Sequence, residues 1–188
     1  MLKHDLKRSY NLTSGKSLRR VFECYRSPGV HAVIAFRFSQ WLRGQPLVVR
    51  FLLKLICSFM NYLVRLQWGI VLSPEARIGR GLHIFHFGGI FVGGQVTIGE
   101  NCSLSHDVTI GLSGEGSRRG APTIGDNAYI APGANISGKI RIGNNVKIGA
   151  NAVVGMDVPD NALVQLPPMR VVTFPNFYGS KSQSDSEE

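Results

Sequence analysis

Acidic residues are scarce in this chain, and scarcest at its start. The sequence holds 12 Asp and Glu against 21 Lys and Arg, a formal net charge of +9, and residues 1–70 contain only Asp5 and Glu23 against 12 cations. So lopsided a segment favours an anionic partner such as a membrane surface, a phosphate or nucleic acid, and peripheral contact with an anionic membrane is one form this could take. Nucleic acid is not expected, because no recognition motif or basic stripe with interleaved aromatics accompanies the charge. Cysteine is also sparse. Cys24, Cys57 and Cys102 lack metal-ligand spacing and no signal peptide precedes them, so reduced, buried thiols in a cytoplasmic protein are expected rather than a disulfide scaffold. Phosphate loops are missing too: GLSGEGSRRG has neither GxGxxG nor the lysine and serine of a P-loop, and it reads as the mobile wall of a site. HIFH, His83 to His86, does not put both rings on one side of a strand and offers no clear third ligand, so no metal is expected.

What the sequence has is a period. From Thr123 to Met156 it reads TIGDNAYIAPGANISGKIRIGNNVKIGANAVVGM, with an aliphatic residue at every sixth position: Ile124, Ile130, Ile136, Ile142, Ile148 and Val154. A helix repeats near 3.6 and a strand near 2, so neither alone yields this spacing. The pattern begins earlier, at Leu72, Ile78, Ile84 and Ile90, and resumes at Ile98, Leu104 and Ile110. Two additional residues separate Ile90 from Ile98, and Gly111 to Thr123 separates the second run from the third. Three short strands per triangular coil, with Gly, Asn or Asp turning each corner, make a parallel β-helix of about four turns.

The solenoid is expected over residues 69–168. Before it lies an N-terminal helical segment, residues 1–68; after it, residues 169–188 form a C-terminal extension ending in the acidic KSQSDSEE, expected to be disordered. Residues 1–18 are polar and are expected to fray. Helices are expected over Ser17 to Arg26 and His31 to Arg43, broken at SPG and GQP. PLVVRFLLKLICSFMNYLVRLQ is long enough to suggest a membrane span, but Arg50, Lys54, Ser58, Asn61 and Arg65 would form a polar stripe along it, so a helix packed on the protein is expected, with the membrane interface as an alternative.

Two histidines draw attention by position. His86 lies two residues after the inward Ile84 and His106 two after the inward Leu104, so the pair should occupy one corner on adjacent coils. Coils stack at roughly the interstrand spacing of ~4.8 Å, which lets both rings face one cleft.

The stretch IVLSPEARIGRGLHIFHFGGIFVGGQVTIGENCSLSHDVTIG, followed by APTIGDNAYIAPGANI and KIGANAVV, resembles the hexapeptide-repeat acyltransferases, and among them the serine acetyltransferases and their exopolysaccharide-modifying relatives. The resemblance implies an all-β solenoid with a left-handed parallel β-helix and a small N-terminal α-helical domain, assembled as a homotrimer with sites between subunits. It implies acetyl-CoA as donor. It puts the catalytic histidine on His86, the pantetheine along Gly111 and Leu112, and CoA against the small residues Ala131, Pro132 and Ala150. His106 would hold the acceptor hydroxyl.

Departures from serine acetyltransferases matter as much. Their Asp that orients the histidine is here Val71, and a second Asp just before it is Phe85; the Arg and His that grip the carboxylate of serine are Gly120 and Ala121. An amino acid needs charged partners for both ends. A sugar or exopolysaccharide precursor is therefore the expected acceptor, with serine O-acetylation as the alternative and a metal-dependent binding protein as a third class. Since Val71 cannot orient an imidazole, the tautomer of His86 must be fixed by Glu75, Asp107 or a backbone carbonyl, with Glu75 preferred because it lies in the same first coil.

Overall fold

The computed structural model describes residues 1–116 and 119–167. Four helices come first: α1 (Leu2–Leu12), α2 (Ser17–Arg26), α3 (Pro28–Arg43) and α4 (Leu47–Trp68). Pro28 sits at the start of α3, where its missing N–H is not needed, so the helix begins earlier than the periodicity alone suggests. Gly69, in the left-handed conformation with φ of 60°, closes α4 and turns the chain into the solenoid.

Among the described residues, fourteen short strands then wind into three parallel sheets. The first holds β1 (Ile70–Leu72), β4 (Ile90–Val92), β7 (Thr109–Gly111), β10 (Asn135–Ser137) and β13 (Val153–Val154). The second holds β2 (Arg77–Ile78), β5 (Thr97–Ile98), β8 (Thr123–Ile124) and β11 (Arg141–Ile142). The third holds β3 (His83–Ile84), β6 (Ser103–Leu104), β9 (Tyr129–Ile130), β12 (Lys147–Ile148) and β14 (Leu163–Val164). The periodic aliphatic residues fill the interior: Leu104, Ile110, Ile130 and Ile136 are fully buried. Strands of two or three residues cannot stand alone, so each coil is held by its neighbours and by this apolar column.

The solenoid has nearly five turns rather than four. Thirteen periodic positions end at Val154, but a further strand, β14, pairs Ile148 with Val164, and Val158 bridges to Ile142. Both pairings span 16 residues where the preceding coil spans 18, as in Asn135 opposite Val153. The last coil is two residues short, which breaks the sixfold register.

The extra pair of residues also moves. Ile70 pairs with Ile90 and Leu72 with Val92, and all four are buried, so the register runs from Val92 to Ile98 without interruption. The insertion falls between Ile84 and Val92, at the corner that carries His86. The later stretch adds eight residues to a coil, since Thr97 pairs with Thr123 across 26 positions. Its neck is closed by Ser113 and Gly120, each donating its N–H to the other's carbonyl at 3.0 Å. Corner residues are left-handed at Asn101, Asp107, Asn127, Asn145, Asn151 and Asn161, with φ of 54° to 59°, a conformation Asn and Asp accept more readily than other side chains. Asn127, Asn145 and Asn161 form a ladder, each amide donating to the next at 3.0 and 2.9 Å.

The first residues of the chain are docked rather than frayed. α1 lies over the first coil, where Asp5 and Ser9 are buried. Asp5 Oδ1 accepts from the N–H groups of Gly81 and Leu82 at 2.6 and 2.9 Å, and Arg37 of α3 donates to Asp5 Oδ2 at 2.8 Å and to the Ile78 carbonyl at 2.8 Å. Arg8 reaches the carbonyls of Gly81 and Cys102 and the Ser103 hydroxyl. The docking is polar, which is why no apolar pattern announced it. α4 packs its inner side, including Val64, Met60 and Trp68, against the core, and Asn61 donates to Ser39 Oγ at 2.8 Å. Its outer side is bare. By length and composition α4 is the one helix among the described residues able to cross a membrane, with a mean hydropathy of 1.8. The C-terminal extension expected over 169–188 lies outside the described residues.

Candidate active site

The corner between the third and first sheets repeats on every coil. After β3 the chain reads Phe85, His86, Phe87, Gly88, Gly89; after β6 it reads Ser105, His106, Asp107. Ile84 pairs with Leu104, and the Asp107 N–H donates to the Gly88 carbonyl at 2.8 Å, so the first corner carries two more residues than the second, Phe87 and Gly88. Gly88 and Gly89 have φ of 106° and 62°, and a Cβ on Gly89 would run into Asp107. Glycine is required there: the bulge depends on left-handed backbone lying directly under the Asp107 side chain.

This geometry brings His86 and His106 together. Their ring centroids are 5.6 Å apart with planes at 75°. Phe85 meets His83 edge-on at 4.5 Å and Tyr129 at 6.0 Å, and Phe85 and Phe87 are 43% and 56% exposed. His86 itself is exposed and His106 half-buried. In one chain the pair stands on an open edge rather than in a cleft.

Ala131 and Pro132 occupy the same corner on the third coil and Ala150 on the fourth, as the Gly133 N–H to His106 carbonyl and Asn151 N–H to Pro132 carbonyl bonds show. Gly111 and Leu112 do not join them. They sit at the far end of the first sheet, where Gly111 pairs with Ser137 and the insertion leaves the coil, beside a groove of about 580 Å³ lined by Ser113, Glu115, Ser137 and Lys139. The five residues thus lie at opposite ends of the first sheet's strands, Ala131, Pro132 and Ala150 ahead of β10 and β13, and Gly111 and Leu112 at the end of β7.

Glu75 is separated from His86. It lies at the corner after β1, not after β3, and its carboxylate pairs with Arg43 Nη1 at 3.3 Å. One coil has three corners, and sharing a coil does not mean sharing a corner. Asp107 does share it, with its side chain over Gly89. His83 is not a partner of His86 either: it is buried beneath α1, with Nδ1 and Ser9 Oγ at 3.0 Å. That burial, with the Arg8 charge acting the same way, pulls its pKa from 6.5 down to about 4. No group of three His, Cys, Asp or Glu among the described residues could hold a metal ion.

Two features were missed in the sequence. Tyr129 completes an aromatic wall with Phe85, although the register aligns it with Ser103 and His83, so the repeat alone does not announce the contact. Ser105, adjacent to His106, is buried with a hydroxyl that has no hydrogen-bond partner among the described residues, and nothing in the repeat marks it.

Comparison with known proteins agrees with this architecture. The bacterial transferase hexapeptide family (six repeats) matches residues 121–155. The serine acetyltransferase of Helicobacter pylori strain 26695 is 38% identical over 132 residues, covering 70% of this chain and 74% of that protein. That of Synechococcus elongatus is 37% identical over 152 residues, covering 81% of this chain and 59% of that protein. The crystal structure of Neisseria gonorrhoeae serine acetyltransferase in complex with serine superposes with a TM-score of 0.73 at 35% identity, over 90% of this chain and 67% of that one. The chain spans only 59% and 63% of the length of the cyanobacterial and Mycobacterium tuberculosis relatives. With a coiled parallel sheet, a corner histidine and this degree of identity, the chain belongs to the serine acetyltransferase-like family of hexapeptide-repeat transferases.

Proposed function

We propose that this protein is an acetyl-CoA-dependent O-acetyltransferase in which His86 is the general base, working at an edge shared by neighbouring copies in a threefold assembly. The observation that carries the proposal is the His86–His106 pair at 5.6 Å, on an edge that continues over the next two coils with Ala131, Pro132 and Ala150. The small side chains leave that edge clear, which fits a slender pantetheine arm lying along the coils. His86 takes the proton from an acceptor hydroxyl as its oxygen attacks the thioester carbonyl; the C–S bond then breaks, and the imidazolium returns the proton to the departing thiolate. Backbone N–H groups at the coil edge are the donors available to the tetrahedral oxyanion. His106 holds the acceptor hydroxyl, and Asp107 replaces Glu75 as the candidate for orienting His86.

The relatives named serine acetyltransferase, one solved with serine, support serine as the acceptor over a sugar. A neutral sugar hydroxyl remains a second reading for one specific reason. Gly120 and Ala121 offer no charge where the resemblance expects Arg and His, and the surroundings of His86 are the exposed Phe85 and Phe87. Serine would need its carboxylate held by another cation, and Arg119 is adjacent in sequence. Thiol release from acetyl-CoA separates the two. With serine as acceptor, kcat/KM should exceed that for neutral oligosaccharides by about 10² or more, as expected when charged partners recognise both ends of a zwitterion. Faster release with an oligosaccharide identifies the acceptor as a sugar instead.

A further inference from the structure

The helical segment presents two bare apolar faces, and nothing in the O-acetyltransfer reading uses them. On α4, Phe51, Leu52, Leu55, Ile56, Phe59 and Leu66 are all more than half exposed, with Phe51 at 82%. On α2, Leu18, Val21, Phe22 and Tyr25 follow the spacing of one helix face, no residue of this helix is buried, and Leu18 is 87% exposed. The two faces adjoin. Tyr25 meets His31 edge-on at 6.0 Å, and His31 stacks on Trp68 at 5.1 Å, which brings the C-terminal ends of α2 and α4 together. Patches of this extent are uncommon on an isolated soluble surface.

We propose that the outer faces of α2 and α4 form a docking surface for an anionic lipid bilayer, on which the protein lies without crossing it. The charges argue for lipid. α4 carries Arg50, Lys54 and Arg65 and no acid, and α2 carries Arg19, Arg20 and Arg26 against Glu23 alone. A second copy of the chain on the same surface would set these cationic helices against each other with scarcely a carboxylate to answer them. On α4 these cations flank the apolar face on the side toward α3 and the first coil, so their long side chains would reach up to anionic headgroups while the apolar faces enter the outer boundary of the acyl region.

The packing argues against a span. Lys54 and Asn61 lie within the helix, and Asn61 is held by Ser39 of α3. α3 in turn is fixed to the first coil through Arg37, which donates to the Ile78 carbonyl. Inserting α4 across a bilayer would strip these contacts and bury two polar groups in hydrocarbon. Lying flat, its 22 residues present a strip about 33 Å long.

The test is co-sedimentation of the full chain with phosphatidylcholine vesicles and with vesicles containing phosphatidylglycerol, at low and high salt. Binding to the anionic vesicles should be at least about tenfold tighter than to neutral ones and should weaken as salt rises. The double variant Phe51→Glu/Leu55→Glu should lose that binding tenfold or more with unchanged circular dichroism and melting temperature, because both side chains are already in water. Arg50→Gln/Lys54→Gln should lose the anionic preference. The variant His86→Ala should bind vesicles as the parent does, which keeps this test separate from the catalytic reading. Equal binding to both vesicle types overturns the proposal, as does undiminished binding by the glutamate variant. A glutamate variant whose mass by light scattering falls, with no vesicle binding by either protein, also overturns it and assigns the face to a second copy.

Discussion

His86→Ala lowers kcat by a factor of about 10² to 10⁴ and leaves the affinity for acetyl-CoA nearly unchanged, because a proton-transfer group acts mainly in the transition state. The size follows from position. His86 is exposed on the corner, makes no side-chain hydrogen bond among the described residues, and stands beside the Phe87–Gly88 bulge. Replacing it removes a base without removing a packed side chain, so the melting temperature should hold. His106→Ala should cost less in kcat and raise KM for the acceptor. Asp107→Asn should lower kcat less than His86→Ala and shift the pH profile of kcat/KM, as expected of a group that orients the base. Steady-state kinetics with a competent acceptor decide these roles: normal turnover by His86→Ala, or a larger kcat loss at His106, reverses the assignment.

Arg37→Leu should destabilise the fold by about 3 to 5 kcal/mol, the cost of removing one partner from a buried ion pair. Arg37 and Asp5 are 6% and 1% exposed, and with Arg37 gone the Asp5 carboxylate keeps its two backbone donors but loses its cation. The Ile78 carbonyl loses its donor as well. Adding Asp5→Asn should return part of the loss, since the uncompensated charge is then gone. The junction also weakens in acid. His83 is neutral in the fold with a pKa of about 4 against 6.5 when free, so between those values the unfolded chain takes a proton that the folded chain refuses, and stability falls as pH is lowered through that window. Urea unfolding of the parent and both variants measures all three effects; a loss under about 1 kcal/mol for Arg37→Leu would place the pair among solvated surface bridges.

The parts of the molecule that were readable in the sequence are those whose physics is periodic. The inward isoleucines revealed the coil, and a 20-residue interval predicted that His86 and His106 would meet. The same signal failed where burial is two-fold ambiguous. In β1 and β4 both the first and third residues face the core, so Ile90 looks like the next periodic position when Val92 holds it, and the bulge was assigned away from the histidine corner. Glu75 shares the first coil with His86 but, three residues after the inward Leu72 rather than after Ile84, falls at a different corner, where it pairs with Arg43. α1 was invisible because what it buries is polar: Asp5, Arg8 and Ser9 find partners some 70 to 95 residues away, mostly backbone groups that no side-chain pattern records.

The acceptor was read from charges missing at Gly120 and Ala121, and the relatives favour serine in spite of them. A carboxylate can be gripped from any direction in three dimensions. Two absent side chains remove one grip, not the possibility of another.

At the core of the proposed mechanism is direct transfer of an acetyl group to a hydroxyl by a histidine base. Mass spectrometry of a reaction with acetyl-CoA and acceptor, reading both the small molecules and the intact protein, tests it most directly. One acetylated acceptor is expected for each CoA released, abolished in His86→Ala, with the protein mass unchanged throughout. Acetyl-CoA consumption that leaves the acetyl group on the protein, or that proceeds equally in His86→Ala, would contradict it.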